Sequence, residues 1–265
     1  MTFLHRPNSV EELLKTRHDL PDALILAGGA GVMKALHKRA EPAHDVIDLS
    51  GVEELVGIQV GRFGTWLGSM TSLLELSRDP LIRKHHPCLA DACSHGPPQV
   101  RARVSIGGVV AWHRYEVLPA LMVLGARSEF RGHETLQRRA RVQETVTQVP
   151  GRSEVIVALH LPAQAEGERL LYRRIEGGSG DVVIAGRLQV SDGRVKQAAL
   201  VIGTPDQPGL HLAAVEEALV AEPIGTRPIA LMEQAYMELD PEGTVSGYAR
   251  ASSARVLRSW LEHLS

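Results

Sequence analysis

Two short glycine-bearing stretches are the parts of this sequence best suited to chemistry: Ala27-Gly28-Gly29-Ala30-Gly31 and Ser105-Ile106-Gly107-Gly108. Consecutive glycines carry no Cβ, so the backbone there can approach a ligand closely and turn successive N–H groups toward an anion. Each stretch follows an apolar or strand-like run. Together they could grip a diphosphate from two sides, which points to a dinucleotide such as FAD. Taken singly, either is equally an ordinary turn, because glycines punctuate turns everywhere. The first is not a P-loop, since no Gly-Lys-Ser/Thr follows. It also fails the dinucleotide fingerprint, because Gly29-x-Gly31 would need a third glycine where Lys34 stands.

Other chemical constellations are weaker. His85, His86, Cys88, Cys93 and His95 fall within eleven residues and hold enough imidazole and thiol groups for a zinc ion. The two cysteines, however, lie five apart on one expected helix and do not face the same way, and cysteine is often simply a small buried apolar residue. With twelve histidines, no Ser-His-Asp arrangement can be singled out by order alone. No catalytic residue and no metal ligand is therefore expected. Trp112 and His113, just beyond the second glycine stretch, could face a flavin ring or a partner surface, or pack in the core as Trp usually does.

These stretches need elements to hold them. Ser9 before Val10-Glu11-Glu12-Leu13-Leu14 reads as an N-cap, with Glu12 completing a capping box. The apolar run Leu20–Leu26 predicts a strand that stops at the first glycines and resumes as a helix over 32–38, and Asp45–Leu49 predicts a second strand. Further strands are expected at 58–60 and 65–67, helices at 72–77 and 87–92, and a β run over 154–161 that ends at Pro162. Residues 164–169 read as a polar linker. Beyond it, 181–190, 197–202 and 225–238 suggest strands followed by helices, and 252–264 an amphipathic closing helix. The class is α+β, divided as 1–56, 57–163 and 170–265.

Composition narrows the function classes. The chain has 265 residues, 44% of them hydrophobic, which is enough for a sizeable core and excludes a disordered chain. A net charge of −2 argues against coating nucleic acid or an anionic membrane, and 4% aromatics offer no stacking platform for single strands. Two cysteines cannot make a disulfide framework or the four-thiolate set of an iron–sulfur cluster. The N-terminal residues lack a signal-peptide core, and the apolar stretch 117–126 is broken by Pro119 and too short to span a bilayer. A cytoplasmic protein with no integral membrane segment is expected.

In order and spacing, the motifs resemble the flavoprotein (medium) subunit of molybdenum hydroxylases, the group of xanthine, aldehyde and carbon monoxide dehydrogenases. Arg6-Pro7-x-Ser9-x-Glu11-Glu12, Leu26–Met33, Val46–Leu49, Gly68–Ser72, Pro98–Val109, Leu118–Leu121, Tyr172-Arg173-Arg174, Gly180-Asp181 and Ser246–Arg250 carry the resemblance almost end to end. It implies two flavin-binding subdomains of the vanillyl-alcohol oxidase type and a small C-terminal α/β domain. It also implies FAD, a large molybdopterin-binding subunit and a small subunit with two [2Fe–2S] clusters, electrons passing from clusters to FAD and on to NAD+, O2 or another acceptor. Carried onto this chain, the cofactor-binding positions are Ala27, Gly28, Gly29, Ala30, Gly31 and Val32 in the first stretch. Ser69 and Thr71 follow, then Ser105, Ile106, Gly107, Gly108 and Val109, with Glu116 and Arg174 further on.

The sequence departs from the family at several of these contacts. Ala30 and Gly31 replace Thr and Asp, Ala102 and Val104 replace Asn and Gly, and Val109 replaces Asn. The stretch from Val110 to Glu116 is two residues short. Val104 and Val109 are expected to add bulk where a ligand would approach, leaving backbone N–H groups of both glycine stretches as the main diphosphate donors. Two alternatives follow: a flavin-free scaffold subunit, and a free-standing flavin enzyme with acid–base residues of its own.

Overall fold

The computed structural model describes residues 3–29, 44–114, 116–134, 137–147, 151–176, 181–221 and 247–263. The expected helix over 32–38 and strand-helix over 225–238 lie outside these residues. Contacts divide the chain into two compact units: residues 1–113 with 125–163, and residues 114–124 with 164–265.

The first unit contains two sheets. Strands β1 (Phe3–His5), β2 (Leu24–Leu26) and β3 (Asp45–Asp48) form a parallel sheet in the order β1-β3-β2. Helix α1 (Val10–Asp19) connects the first two. Its N-terminus is capped by the Ser9 hydroxyl, which accepts from the Glu12 amide at 3.1 Å. The Glu12 carboxylate reaches back to the Asn8 amide at 2.8 Å, one residue earlier than the regular capping box. Strands β4 (Ile58–Gly61), β5 (Gly64–Gly68), β6 (Arg127–Gly132), β7 (Arg138–Arg141) and β8 (Glu154–Pro162) make an antiparallel sheet in the order β4-β5-β8-β6-β7. Leu13, Ile47, Leu49 and Leu55 are buried together with Val155 and Val157 of β8, so one apolar core joins the two sheets.

Between β5 and β6 the chain is helical, and local signals set each start. Ser72 and Glu75 close a capping box on α2 (Leu73–Arg78). Asp79 caps α3 (Pro80–His85), whose first residue is proline, and α4 (Pro87–Cys93) likewise opens on proline. After the short turn α5 (Pro98–Arg101) comes α6 (Ile106–Ala111), with Ser105 as its N-cap. The second glycine stretch, read from sequence as a turn, is thus the first turn of a helix. Its cause is the Ser105 hydroxyl, which accepts from the Gly108 amide at 3.2 Å, while Ile106, Val109 and Val110 bury one helical face.

In the second unit, β9 (Glu168–Ile175), β10 (Val182–Ser191), β11 (Arg194–Gly203) and β12 (Leu210–His211) form an antiparallel sheet in the order β12-β11-β10-β9. Strand β9 begins inside the stretch read as a linker, because Glu168 onward pairs with β10 through Gln189. Asp192 and Gly193, both with positive φ, make the two-residue turn between β10 and β11. Helix α7 (Leu118–Val123), between Arg114 and Leu124, packs on β10 and β11 and so groups with this unit, although its sequence position falls in the 57–163 segment. Helices α8 (Ala213–Ala221) and α9 (Gly247–Glu262) complete the unit. Leu219 and Leu257 join Ile184, Leu188, Leu200 and Ile202 in its core.

Candidate cofactor site

The glycine segments of the first unit are brought together by backbone contact. After β2 the chain turns at Gly28 and Gly29, with φ of 71° and 85°. Gly28 lies so close to Arg103 that a Cβ would sit 1.8 Å from that carbonyl oxygen, so both its φ and its packing demand glycine. The start of α6 is laced to the segment after β5: Gly107 donates to the Ser69 carbonyl at 2.8 Å and Ile106 to the Thr71 carbonyl at 2.9 Å. Leu73 donates back to the Val104 carbonyl at 2.9 Å. A Cβ on Gly107 would fall 2.8 Å from that of Ser69. Three segments far apart in sequence, around Gly28, Ser69–Leu73 and Arg103–Gly107, therefore meet in one place.

What they enclose is a cavity of ≈ 470 Å³, within the roughly 300–1,000 Å³ range of ligand sites. Ala27, Ser69, Ser105, Gly107 and Gly108 line it, five of the positions expected from sequence. Leu24, Ile25, Leu49 and Met70 add an apolar wall from the first sheet and its connections, and Val155 and Ile156 another from β8. Arg17 of α1 and Glu154 supply the charged groups, and Trp112, 44% exposed, stands at the cavity after the last turn of α6. Arg17, Glu154 and the β8 residues were not singled out from sequence. Their one signal was the end of an amphipathic helix and the start of a β run, neither of which says what it faces.

The other expected positions fall elsewhere. Thr71 is buried with its hydroxyl on Gly57, accepting from the amide at 2.9 Å and donating to the carbonyl at 3.1 Å. Ile106 and Val109 are fully buried, and Val104 is 5% exposed. None of the three lines the cavity. Val104 and Val109, expected to add bulk at the site, are instead buried in the protein interior. Glu116 and Arg174 belong to the second unit. Glu116 pairs with Arg114 at 2.8 Å, and Arg174 with Asp181 at 2.6 Å. The Tyr172 hydroxyl donates to the Glu116 carbonyl at 2.6 Å. Ala30, Gly31 and Val32 lie outside the described residues.

The hydrogen-bond inventory also changes which groups could hold an anion. The amides of Ile106, Gly107 and Gly108 are all spent on protein acceptors, so the second stretch offers smooth Cα surface rather than free donors. The amides of Gly28 and Gly29 donate to none of the described residues. The Ser69 hydroxyl, on a residue 3% exposed, is buried without a hydrogen-bond partner among them. An unmet buried hydroxyl costs ~1–3 kcal/mol, so this one is suited to a ligand atom. Glu154 is held by Arg138 at 2.6 and 2.7 Å and by the Gly151 amide at 2.8 Å, contacts that keep its carboxyl below the usual range. Its charge is already matched.

Cys88 and Cys93 of α4 are buried and form no disulfide. Burial raises both, Cys88 to about 12. No group of three or more potential metal-ligating side chains occurs among the described residues. Nor is any helix among them long and apolar enough to cross a membrane.

A glycine-walled cavity on a parallel sheet, shared with an antiparallel sheet behind it, defines a nucleotide-cofactor domain. Residues 1–164 match the FAD-binding domain in molybdopterin dehydrogenase, and the chain belongs to that family. It is similar to the carbon monoxide dehydrogenase medium chain of Hydrogenophaga pseudoflava, 31% identical over 191 residues, or 69% of this chain and 66% of that one. A putative xanthine dehydrogenase FAD-binding subunit of Escherichia coli strain K12 is 28% identical over 60% of this chain and 57% of its own. The match thus spans a little under two thirds of these relatives. In fold the chain resembles carbon monoxide dehydrogenase from Hydrogenophaga pseudoflava that lacks the Mo-pyranopterin moiety, with a TM-score of 0.83 at 23% identity over 99% of this chain and 95% of the other.

Proposed function

We propose that this chain is the FAD-carrying electron-transfer subunit of a molybdenum hydroxylase, working in the cytoplasm beside a large molybdopterin-binding subunit and a small [2Fe–2S] subunit. Electrons would arrive from the clusters and leave to an external acceptor such as NAD+ or O2. The observation that carries the reading is the Ser69 hydroxyl, buried, without a partner among the described residues, and opening on a cavity walled by Gly107 and Gly108. Two buried cysteines outside any disulfide also suit a reducing compartment.

Bound FAD would supply the redox chemistry, as cofactors do. The chain's own share is binding and exclusion of water. The Gly28 and Gly29 amides and the Ser69 hydroxyl donate to the cofactor, the Cα faces of Gly107 and Gly108 let it approach, and Leu24, Ile25 and Ile156 cover its apolar parts. Glu116 and Arg174 are assigned to the cofactor by family resemblance, beside the ion pairs they already make. Co-expression with the large and small subunits tests the reading. The purified complex is expected to be yellow and to release stoichiometric FAD on denaturation; a complex without flavin would refute it and favour a scaffold role.

A further inference from the structure

The cavity holds one charged side chain that no described residue pairs with in a salt bridge. Arg17 lies in the last turn of α1, and its Nη1 donates to the Ala23 carbonyl at 2.7 Å, which draws the side chain back over the turn into β2. Its Nε is buried and has no hydrogen-bond partner among the described residues, and no carboxylate there forms an ion pair with it. Asp22 is the acid close enough to act on it, but that carboxylate pairs with Arg152 at 3.3 Å, where both side chains are more than 80% exposed. Burial outweighs Asp22 and pushes the Arg17 guanidinium below its usual value. Glu154, the one acid among the described residues that line the cavity, is taken by Arg138. A partly desolvated guanidinium with an unused edge is costly unless an anion meets it.

Resting on the FAD reading above, we infer that Arg17 supplies the charge that holds the cofactor's diphosphate. The diphosphate is the anionic part of FAD, and the planar fork of a guanidinium can meet two phosphate oxygens at once. The need for such a charge is plain here, because the amides that open α6 are committed to Ser69, Thr71 and Ser105. Leu24, Ile25 and the glycine Cα faces beside Arg17 bring no charge of their own.

FAD binding to the purified chain, followed by flavin fluorescence, tests this with Arg17→Gln, Arg17→Lys and Arg17→Ala. Gln keeps a donor for the Ala23 carbonyl but removes the charge. FAD affinity is expected to fall at least tenfold in Arg17→Gln, with a flatter salt dependence, while Arg17→Lys falls between it and the native chain. ADP should displace FAD from the native chain better than adenosine does, and Arg17→Gln should lose that preference while melting at the native temperature without ligand. Native-like FAD affinity in a folded Arg17→Gln overturns the inference and leaves the FAD reading standing. Equal loss of ADP and adenosine binding overturns it too, as a structural role. If neither the native chain nor its complex with the large and small subunits binds FAD, the reading itself fails and the inference falls with it. Should Arg17→Ala not fold, the Gln and Lys variants decide.

Discussion

Single residues set the walls of the cavity, and two substitutions separate wall from core. Gly28→Ala places a methyl against the Arg103 carbonyl and an L-residue at φ 71°. The dihedral alone costs ~1–2 kcal/mol and the clash adds to it, so urea unfolding should show a loss of at least about 2 kcal/mol, with weaker FAD binding. Val109→Asn installs the amide that the family resemblance leads one to expect at this position. Val109 is fully buried, so the amide enters an apolar interior and should cost ~1–3 kcal/mol without improving FAD affinity. Tighter FAD binding by Val109→Asn would show that the valine does stand in the cofactor's way. Much of this was legible beforehand: Ala27, Ser69, Ser105, Gly107 and Gly108 were named from motif spacing. That Val109 turns away was not, because its direction depends on Ser105 starting a helix.

Elements hold the cavity through a few cross-links, and one of them titrates. His86 sits at the junction of α3 and α4, 1% exposed, its Nε2 2.9 Å from the Thr65 hydroxyl of β5. Burial, with His85 and His160 adding like charge, lowers it from 6.5 to about 4. The folded state thus resists protonation that the unfolded chain accepts below 6.5. The sign follows: His86 leaves stability intact above pH 6.5 and removes it as pH falls toward 4. At ~1.4 kcal/mol per unit the loss approaches about 3 kcal/mol. His86→Gln should therefore lose less stability than the native chain between pH 7 and pH 4.5 in urea titrations, since carboxylate effects are common to both. The helices that meet here announce themselves locally: Ser72 with Glu75, Asp79, and prolines at 80 and 87 are start signals. The link to Thr65 is not local, and nothing in the spacing of 65 and 86 implies it.

The whole molecule is two units through which the chain passes twice, and that path has a consequence. Leu118, Leu121 and Val123 of α7 are buried on β10 and β11, strands that lie beyond residue 163. A fragment of residues 1–163 keeps α7 but loses its sheet, exposing a contiguous apolar helix face. Gel filtration and dye binding should show it aggregating or binding hydrophobic dye, unlike the full chain. A monodisperse fragment without dye binding would mean that α7 finds cover elsewhere. Division by sequence cannot see such a crossing, because composition along 114–124 does not change.

Sequence by itself determined the capped helix starts and most of the strands, which rest on local chemistry such as hydroxyl caps and apolar periodicity, while the family and its cofactor class came from the order and spacing of motifs that resemble it. Only the tertiary structure decided which glycine amides are free and that the two valines point inward. It alone placed Arg17 and β8 on the cavity. Those outcomes turn on hydrogen-bond partners and burial between segments as distant as Ala27, Ser69, Arg103 and Glu154, and the packing of a shared core, not the residue types alone, chooses which of them meet.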